Sequence, residues 1–348
     1  MSPYILFTLL LGLAFGTTIT LSSSHWLIAW MGLEINTLAI IPIMARHYHP
    51  RAVEAATKYF LTQATAAAMI LFASTTNAWI TGQWDIFQMS HPLTITMITI
   101  ALALKIGLAP LHSWLPEVLQ GLDLFTGLLL STWQKLAPFI LLLQLQPANS
   151  TMMIILGLSS TLIGGWGGLN QTQLRKILAY SSIAHLGWMI LVLQYSPSLT
   201  LLALITYLVM TLSTFLTFKV NNVTSINSLA LSWAKTPVLT ALTPLILLSL
   251  GGLPPLTGFM PKWLILQELT KQNLEPTATF AALTALLSLY FYLRLSYAMA
   301  MTMAPNNLTG TTPWRFPLSQ PTLTLAVAMT ATIGLLPLTP LIWAALTI

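Results

Sequence analysis

Long apolar runs separated by short polar segments dominate the pattern of the chain. A helix needs about 20 mainly apolar residues to cross the hydrocarbon layer of a bilayer. The pattern therefore predicts about eleven transmembrane helices, and the alternation typical of membrane strands is absent. The predicted spans are 3–22, 25–45, 55–79, 92–118, 122–145, 150–170, 174–195, 199–220, 237–270, 275–298 and 322–346. We predict an all-α polytopic membrane protein.

Composition supports a lipid environment and excludes several classes of chemistry. Of the 348 residues, 56% are hydrophobic and only 6% are charged, whereas a soluble domain carries about 25% charged residues. The chain has no cysteine, which excludes disulfides, thiol nucleophiles and Cys-ligated metals. It lacks the nucleotide-binding and zinc-protease motifs, and its net charge of +6 is scattered rather than gathered into a nucleic-acid-binding face.

Nearly all the basic residues of the predicted loops fall on one side of the membrane when eleven spans are threaded through it. With the N-terminus on side A, the basic residues of that side are Arg46, Arg51, Arg175, Lys176, Lys219, Lys235 and Arg315. The charged residues of side B are Asp85, Glu268, Lys271 and Glu275. Matrix-side or cytoplasmic loops are enriched in Lys and Arg. The pattern predicts that the N-terminus lies on that side and the C-terminus on the other.

Two ten-residue stretches, 145 residues apart, align without gaps. Residues 107–116 read GLAPLHSWLP, and residues 252–261 read GLPPLTGFMP. About five spans separate them, so the second copy should cross the membrane in the opposite direction. Inverted repeats with a Gly/Pro-interrupted helix in each half are typical of transporters. We predict pseudo-repeats at 1–146 and 147–300, followed by a loop and C-terminal helix at 301–348; two unrelated proline kinks are the alternative.

Four charged residues fall inside predicted spans. Glu34 and Lys135 lie near the middle of theirs, Lys105 precedes the first interrupted segment, and Lys262 lies on the order of 12 Å beyond the second. A charge at the bilayer centre costs about 2.5–3.5 kcal/mol on insertion scales, so such residues are candidates for function. We predict that all four transfer protons, with Glu34 and Lys105 as an interacting pair. A static interhelical ion pair is the alternative.

Other polar positions have simpler interpretations. His112 and His185 are candidate proton relays because imidazole titrates near neutral pH, although either could be a hydrogen-bonded structural residue. Lys58 is expected to extend toward side A, and Glu117 is expected to be solvated. The glycine run at 164–168 is expected to serve close helix packing.

Several strings are similar to a single family. They are GLEINTLA at 32–39, KYFLTQ at 58–63, PEVLQG at 116–121, STWQK at 131–135, GLNQTQ at 168–173, RKILA at 175–179 and GGLPP at 251–255. Over essentially its whole length, the chain resembles the subunit 2 family of mitochondrial NADH:ubiquinone oxidoreductase, respiratory complex I, of the vertebrate type.

This resemblance implies an antiporter-like subunit of the complex I membrane arm in the mitochondrial inner membrane. It implies proton-transfer roles for Glu34, Lys105, Lys135 and Lys262. NADH, FMN, iron–sulfur clusters and ubiquinone would be bound by other subunits, so no redox chemistry would occur in this chain. Its partners would be neighbouring membrane-arm subunits and lipids, and no nucleic acid.

The chain also departs from the pattern of the family. Bacterial relatives carry about three further N-terminal helices, and the 145-residue offset aligns Glu34 with Ala179, so the acid is not duplicated. Two alternatives stay open: a free-standing cation/proton antiporter, and a structural membrane-arm subunit that does not pump.

Overall fold

The computed structural model describes residues 2–46, 49–145, 150–234, 236–301 and 322–347. Within those ranges the chain is almost wholly helical, and its β structure is confined to two isolated bridges. The predicted all-α fold is therefore confirmed. The predicted side A residues Lys235 and Arg315 lie outside the described ranges.

The α-helices follow one another with short connections. They are α1 (Pro3–Ser22), α2 (Trp26–Met44), α3 (Pro50–Thr81), α4 (Pro92–Ile106), α5 (Trp114–Gly121), α6 (Leu124–Ser131), α7 (Trp133–Leu145), α8 (Ser150–Gly168), α9 (Leu174–Val192), α10 (Pro197–Asn221), α11 (Ile226–Ala230), α12 (Pro237–Gly251), α13 (Phe259–Lys271), α14 (Glu275–Met301), α15 (Leu323–Gly334) and α16 (Thr339–Thr347). Proline at the first turn begins several of them, because its missing N–H is unpaired there in any case.

Contacts divide the chain into two compact units, Met1–Leu156 and Gly157–Ile348. In the first unit α1 packs on α2, and α3 packs on α4 and α5. In the second, α12 packs on α14, and α10 packs on α12 and α15. The pseudo-repeat limits and their inverted orientation stay predictions.

Six helical segments in the described ranges are long and apolar enough to cross a bilayer, and one of them, Leu124–Leu145, consists of α6 and α7 together. A seventh span is obtained if the C-terminal pair, Leu323–Gly334 and Leu336–Thr347, is counted as one. Two shorter apolar helices, α4 and α12, each precede a non-helical interruption of a predicted span. The chain is therefore a multi-pass membrane protein, while the count of eleven spans stays a prediction.

Both predicted interruptions are present, and each begins at a glycine. Gly107 ends α4 with φ +86°, and Gly252 ends α12 with φ +79°. Only glycine adopts this left-handed conformation without steric penalty, which makes it the usual residue after a helix C-terminus. The second half-helices then begin at Trp114 and Phe259. The broken helices therefore lie where the sequence predicts them.

Two further interruptions were not predicted. The span predicted at 122–145 is divided at Thr132, whose N–H and hydroxyl both donate to the Leu128 carbonyl, at 3.0 and 2.7 Å. The span predicted at 322–346 is two helices that meet at 70°. Pro337 and Pro340 follow this bend, and proline cannot donate to the preceding turn. A single C-terminal helix was therefore a wrong prediction.

The glycine run at 164–168 serves helix packing, as predicted. A Cβ atom on Gly164 would lie 2.6 Å from the backbone nitrogen of Ala184 on α9. One on Gly168 would lie 2.8 Å from the ring of Phe291 on α14. Because these approaches leave no room for a side chain, α8 can pack on both neighbours only with glycine at these positions.

The α1–α2 pair depends on glycine in the same way, and this gives a first prediction. A Cβ on Gly16 would lie 2.5 Å from Asn36 Oδ1 and 2.9 Å from the Gly32 carbonyl oxygen. We expect Gly16→Ala to destabilise the unit by about 1–3 kcal/mol through overpacking. The measurement is the thermal inactivation midpoint of the purified assembly.

Gly12→Ala is the matched control for that change. Gly12 lies one turn earlier on α1, and its added Cβ would lie 3.4 Å from Ala39 Cβ, an ordinary contact. Equal midpoints for the two variants would contradict the packing argument.

Candidate functional site

Lys105 and Lys135 line one cavity in the first unit. The two side chains are 6% and 3% exposed, and the cavity measures about 20 Å³. A cavity of this size holds about one water molecule. Sequence separation gave no direct indication that these two lysines share a cavity, but the structure brings them together.

Helix ends position both lysines. Lys105 lies in the last turn of α4, where unpaired carbonyl groups and the helix dipole favour a cation. Lys135 lies in the first turn of α7, directly after the interruption at Thr132. The amino group of Lys105 has no hydrogen-bond partner among the described residues. Each lysine is thus next to a break in the helical hydrogen-bond ladder.

Glu34 lies beside this cavity without forming an ion pair with Lys105. Its carboxylate accepts a hydrogen bond of 2.9 Å from the Thr37 hydroxyl group, and Thr37 lines the cavity. The Glu34 charge acts electrostatically on Lys105 and on Tyr59. No carboxylate of the described part of the chain lies within 4.0 Å of the Lys105 amino group. Glu34 and Lys105 therefore do not form a direct ion pair, and their functional interaction stays a prediction.

Polar and aromatic side chains complete the cavity wall. Gln63 Nε2 donates to the Lys105 carbonyl at 3.4 Å, and Trp114 Nε1 donates to the Leu104 carbonyl at 3.1 Å. The rings of Trp114 and the buried Tyr59 meet edge to face, with centroids 5.7 Å apart. These contacts bind α3 and α5 to the open C-terminal end of α4. The contacts hold the helices that surround the two lysines in position.

The second unit holds a similar arrangement around Lys262. Lys262 and His185 line one cavity of about 20 Å³, together with Trp188, Thr206 and Met210. The His185 ring lies 5.6 Å from the ring of Tyr207. The predicted relay His185 is thus beside a predicted lysine. It lies on α9, far from Lys262 in the sequence.

The predicted placement of Lys262 well beyond the break was wrong. Its amino group donates a 2.8 Å hydrogen bond to the Gly251 carbonyl, the last residue of α12. Lys262 lies in the first turn of α13, and helical side chains point toward the N-terminus of their helix. The side chain therefore reaches back to the break.

His112 lies in the first interruption, outside the wall of the Lys105 cavity. Its Nδ1 is 3.2 Å from the Pro110 carbonyl oxygen, a local contact. The structure does not place it with Lys105 and Lys135.

Sequence reasoning missed an ion-pair cluster at one end of the first unit. Lys58 contacts Glu54 and Glu117, each at 2.8 Å, and all three side chains are substantially exposed. The hydrogen bond and charge of Lys58 lower the pKa of Glu54. The Glu117 contact links α3 to the second half of the broken helix. The spacing of Glu54 and Lys58 on one helix face was the available signal.

No group of three potential metal ligands occurs in the described ranges.

Comparison with known proteins assigns the family. A family model described as NADH:quinone oxidoreductase/Mrp antiporter, TM, matches residues 23–288, and one for the NADH dehydrogenase subunit 2 C-terminus matches residues 289–343. NADH-ubiquinone oxidoreductase chain 2 of Tetraodon nigroviridis is 76% identical over 340 residues, 98% of each chain. The chain belongs to the NADH-ubiquinone oxidoreductase chain 2 family. The Salmo salar member is 69% identical and is covered completely.

Solved structures agree with this family assignment. A chain of respiratory complex I from Thermus thermophilus superposes with a TM-score of 0.87 at 28% identity. The match covers 99% of the present chain and 81% of the Thermus chain. A chain of the Mrp complex from Dietzia has a TM-score of 0.79 at 16% identity over 97% of the present chain and 77% of its own. The Dietzia likeness shows a shared fold alone.

Proposed function

We propose that this chain is a membrane subunit of NADH:ubiquinone oxidoreductase and that it transfers protons through its buried lysines. The proposal rests on family membership together with one structural observation. Two buried lysines share a cavity the size of a water molecule, with the charge of Glu34 beside them. A bundle built only for packing gains little from two buried amines at such a site, because burying an ionisable group costs free energy.

The chemistry available at this cavity is proton exchange between amines. A protonated Lys105 can pass a proton to one water molecule in the cavity, and that water can protonate a neutral Lys135. The negative charge of Glu34 stabilises a cation at Lys105 more than at a distant site, because Coulomb attraction falls with distance. A change in the position or charge of Glu34 therefore biases where the proton resides. His185 and Lys262 offer a second exchange site in the other unit.

The remaining assignments follow from the same proposal. NADH, FMN, iron–sulfur clusters and ubiquinone are held by other subunits, and the lack of cysteine is consistent with this because iron–sulfur clusters are ligated mainly by cysteine. The partners are other membrane-arm subunits and lipids. The chain resides in the mitochondrial inner membrane with its N-terminus in the matrix.

The charges of the second unit support that orientation. In this unit, the bridge between Gln173 and Ser225 brings together the loops next to Arg175, Lys176 and Lys219. Basic residues are therefore gathered at one end of the second unit, as the positive-inside rule predicts for a matrix face.

Glu34→Gln tests the function directly. The amide keeps the size of the side chain and can still accept from Thr37, but it removes the charge. We expect the rate of proton translocation by the complex in proteoliposomes to fall roughly tenfold, less than the ~100-fold contributed by a typical positioned proton-transfer group. Proton uptake and NADH oxidation are measured on the same vesicles.

Glu275→Gln, which neutralises an exposed acid at the start of α14, is the control and should pump normally. An unchanged proton-to-electron ratio in Glu34→Gln would favour the structural alternative. Exchange of Na⁺ for H⁺ by the chain purified alone would favour the free-standing antiporter. Migration of this chain within a large assembly on blue-native gels would contradict the free-standing antiporter alternative.

A further inference from the structure

An open groove of about 860 Å³ lies on the second unit between α12 and α14. Its wall is mainly apolar and includes Pro244 and Leu248 of α12 and Tyr290, Leu293 and Tyr297 of α14. The volume lies in the ~300–1,000 Å³ range of ligand sites. The groove takes no part in the lysine chemistry above.

One cation, Arg294, lies in this apolar wall. Its side chain is exposed, and Nη1 donates a 2.6 Å hydrogen bond to the Leu169 carbonyl, directly after α8. A guanidinium group carries five N–H donors, so others are available to a ligand. No carboxylate in the described ranges forms an ion pair with Arg294. The groove therefore presents uncompensated positive charge beside apolar surface.

Arg294 lies in the last third of α14, a helix long and apolar enough to cross a bilayer. Arg294 precedes the helix end at Met301 by about 10 Å at 1.5 Å per residue. The hydrogen bond to Leu169 directs the guanidinium group of Arg294 toward the loop that follows α8, as expected of an arginine that extends its charge toward the membrane surface. Tyr290 and Leu248 continue the apolar wall away from that end. Tyrosine at such a boundary is common in membrane proteins.

We propose that this groove is a binding site for an anionic phospholipid, with the phosphate at Arg294 and one acyl chain along Leu248 and Leu293. Arginine pairs with phosphate through charge-assisted, often bidentate, hydrogen bonds. A wholly apolar transmembrane helix of a partner would fit the apolar wall but would leave Arg294 without a counter-charge. An anionic lipid satisfies both features, and this charge complementarity decides in its favour.

Photo-crosslinking of the intact complex tests the site. The complex is placed in phosphatidylcholine vesicles with a small fraction of phosphatidylglycerol that carries a diazirine on one acyl chain. A second sample contains phosphatidylcholine with the same diazirine. After illumination, peptide mass spectrometry of this chain locates the adducts. We expect phosphatidylglycerol adducts on α12 and α14, with phosphatidylcholine adducts there at clearly lower yield.

Variants isolate the contribution of the charge. Arg294→Gln should lower the phosphatidylglycerol adducts about fivefold, the size of effect expected for one basic residue near an anionic surface. Arg294→Lys should retain most of them. Lys219→Gln removes an exposed charge elsewhere in the same unit and should leave them unchanged.

Three results would overturn the proposal. They are equal labelling by the two lipids in the unsubstituted complex, no labelling of α12 and α14 by either lipid, and undiminished labelling in Arg294→Gln. The first two comparisons need no substitution, so they decide the question even if Arg294→Gln fails to assemble. NADH:ubiquinone reductase activity of each sample, measured in parallel, shows that the complex is intact.

Discussion

Lys105→Ala should abolish most proton translocation while the complex still assembles. The substitution removes one of the two amines that line the cavity of the first unit, and a water molecule can fill the space. We expect the rate of proton uptake to fall by about 10- to 100-fold. The larger factor, about 100-fold, is the smallest effect typical of one positioned proton-transfer group. Proton uptake by proteoliposomes, normalised to the blue-native band of the complex, is the measurement.

Lys105→Arg separates proton transfer from static charge. Arginine keeps a positive charge at this position but does not release its proton at accessible pH. If Lys105 transfers protons, the arginine variant should pump as poorly as the alanine variant. Restored pumping in Lys105→Arg would instead assign Lys105 a static role. Lys271→Ala, which removes an exposed lysine paired with Glu268, should behave as the unsubstituted complex.

Gly252→Ala should damage the second unit in two ways. A residue other than glycine at φ +79° costs roughly 1–2 kcal/mol. The new methyl group would also lie 2.8 Å from Cδ and 3.0 Å from Nζ of Lys262, which would have to leave the Gly251 carbonyl. We expect both lower thermal stability of the complex and a severalfold loss of proton translocation.

Gly82→Ala is the control that isolates the lysine contact. Gly82 has φ +73° at the end of α3, but a Cβ atom there meets no other atom within 4 Å. It should therefore show the loss of stability without the loss of translocation. Equal translocation in the two variants would mean that the position of Lys262 is unimportant for transport.

The helices and their two main breaks could be predicted because they depend on local chemistry. Apolar runs set the spans, and Gly107 and Gly252 supply the positive φ that ends α4 and α12. The interruption at Thr132 could not be predicted in this way. The Thr132 hydroxyl group donates to the Leu128 carbonyl, but Thr62 and Thr211 make similar bonds inside unbroken helices, so this residue gives no sequence signal of a break.

The site could be predicted only as a set of residue types. Charges in apolar runs identified Lys105, Lys135 and Lys262, since lipid disfavours them. Which of them share a cavity depends on helix packing, which the sequence does not encode locally. The direction of Lys262 was missed because its distance was counted along the helix axis, whereas its long side chain returns toward the break. The pairing of Lys58 with Glu117 depends on the same tertiary contacts.

The tether of Lys262 to the end of α12 has a consequence for the route of a proton. The amine donates one N–H to the Gly251 oxygen, and both its charged and its neutral form carry an N–H that can make this bond. In the neutral form, the lone pair that accepts an incoming proton must therefore point away from that oxygen, and the side chain borders the space next to His185. If Lys262 transfers protons as proposed, this hydrogen bond favours proton exchange on the side of the amine that faces away from the Gly251 oxygen.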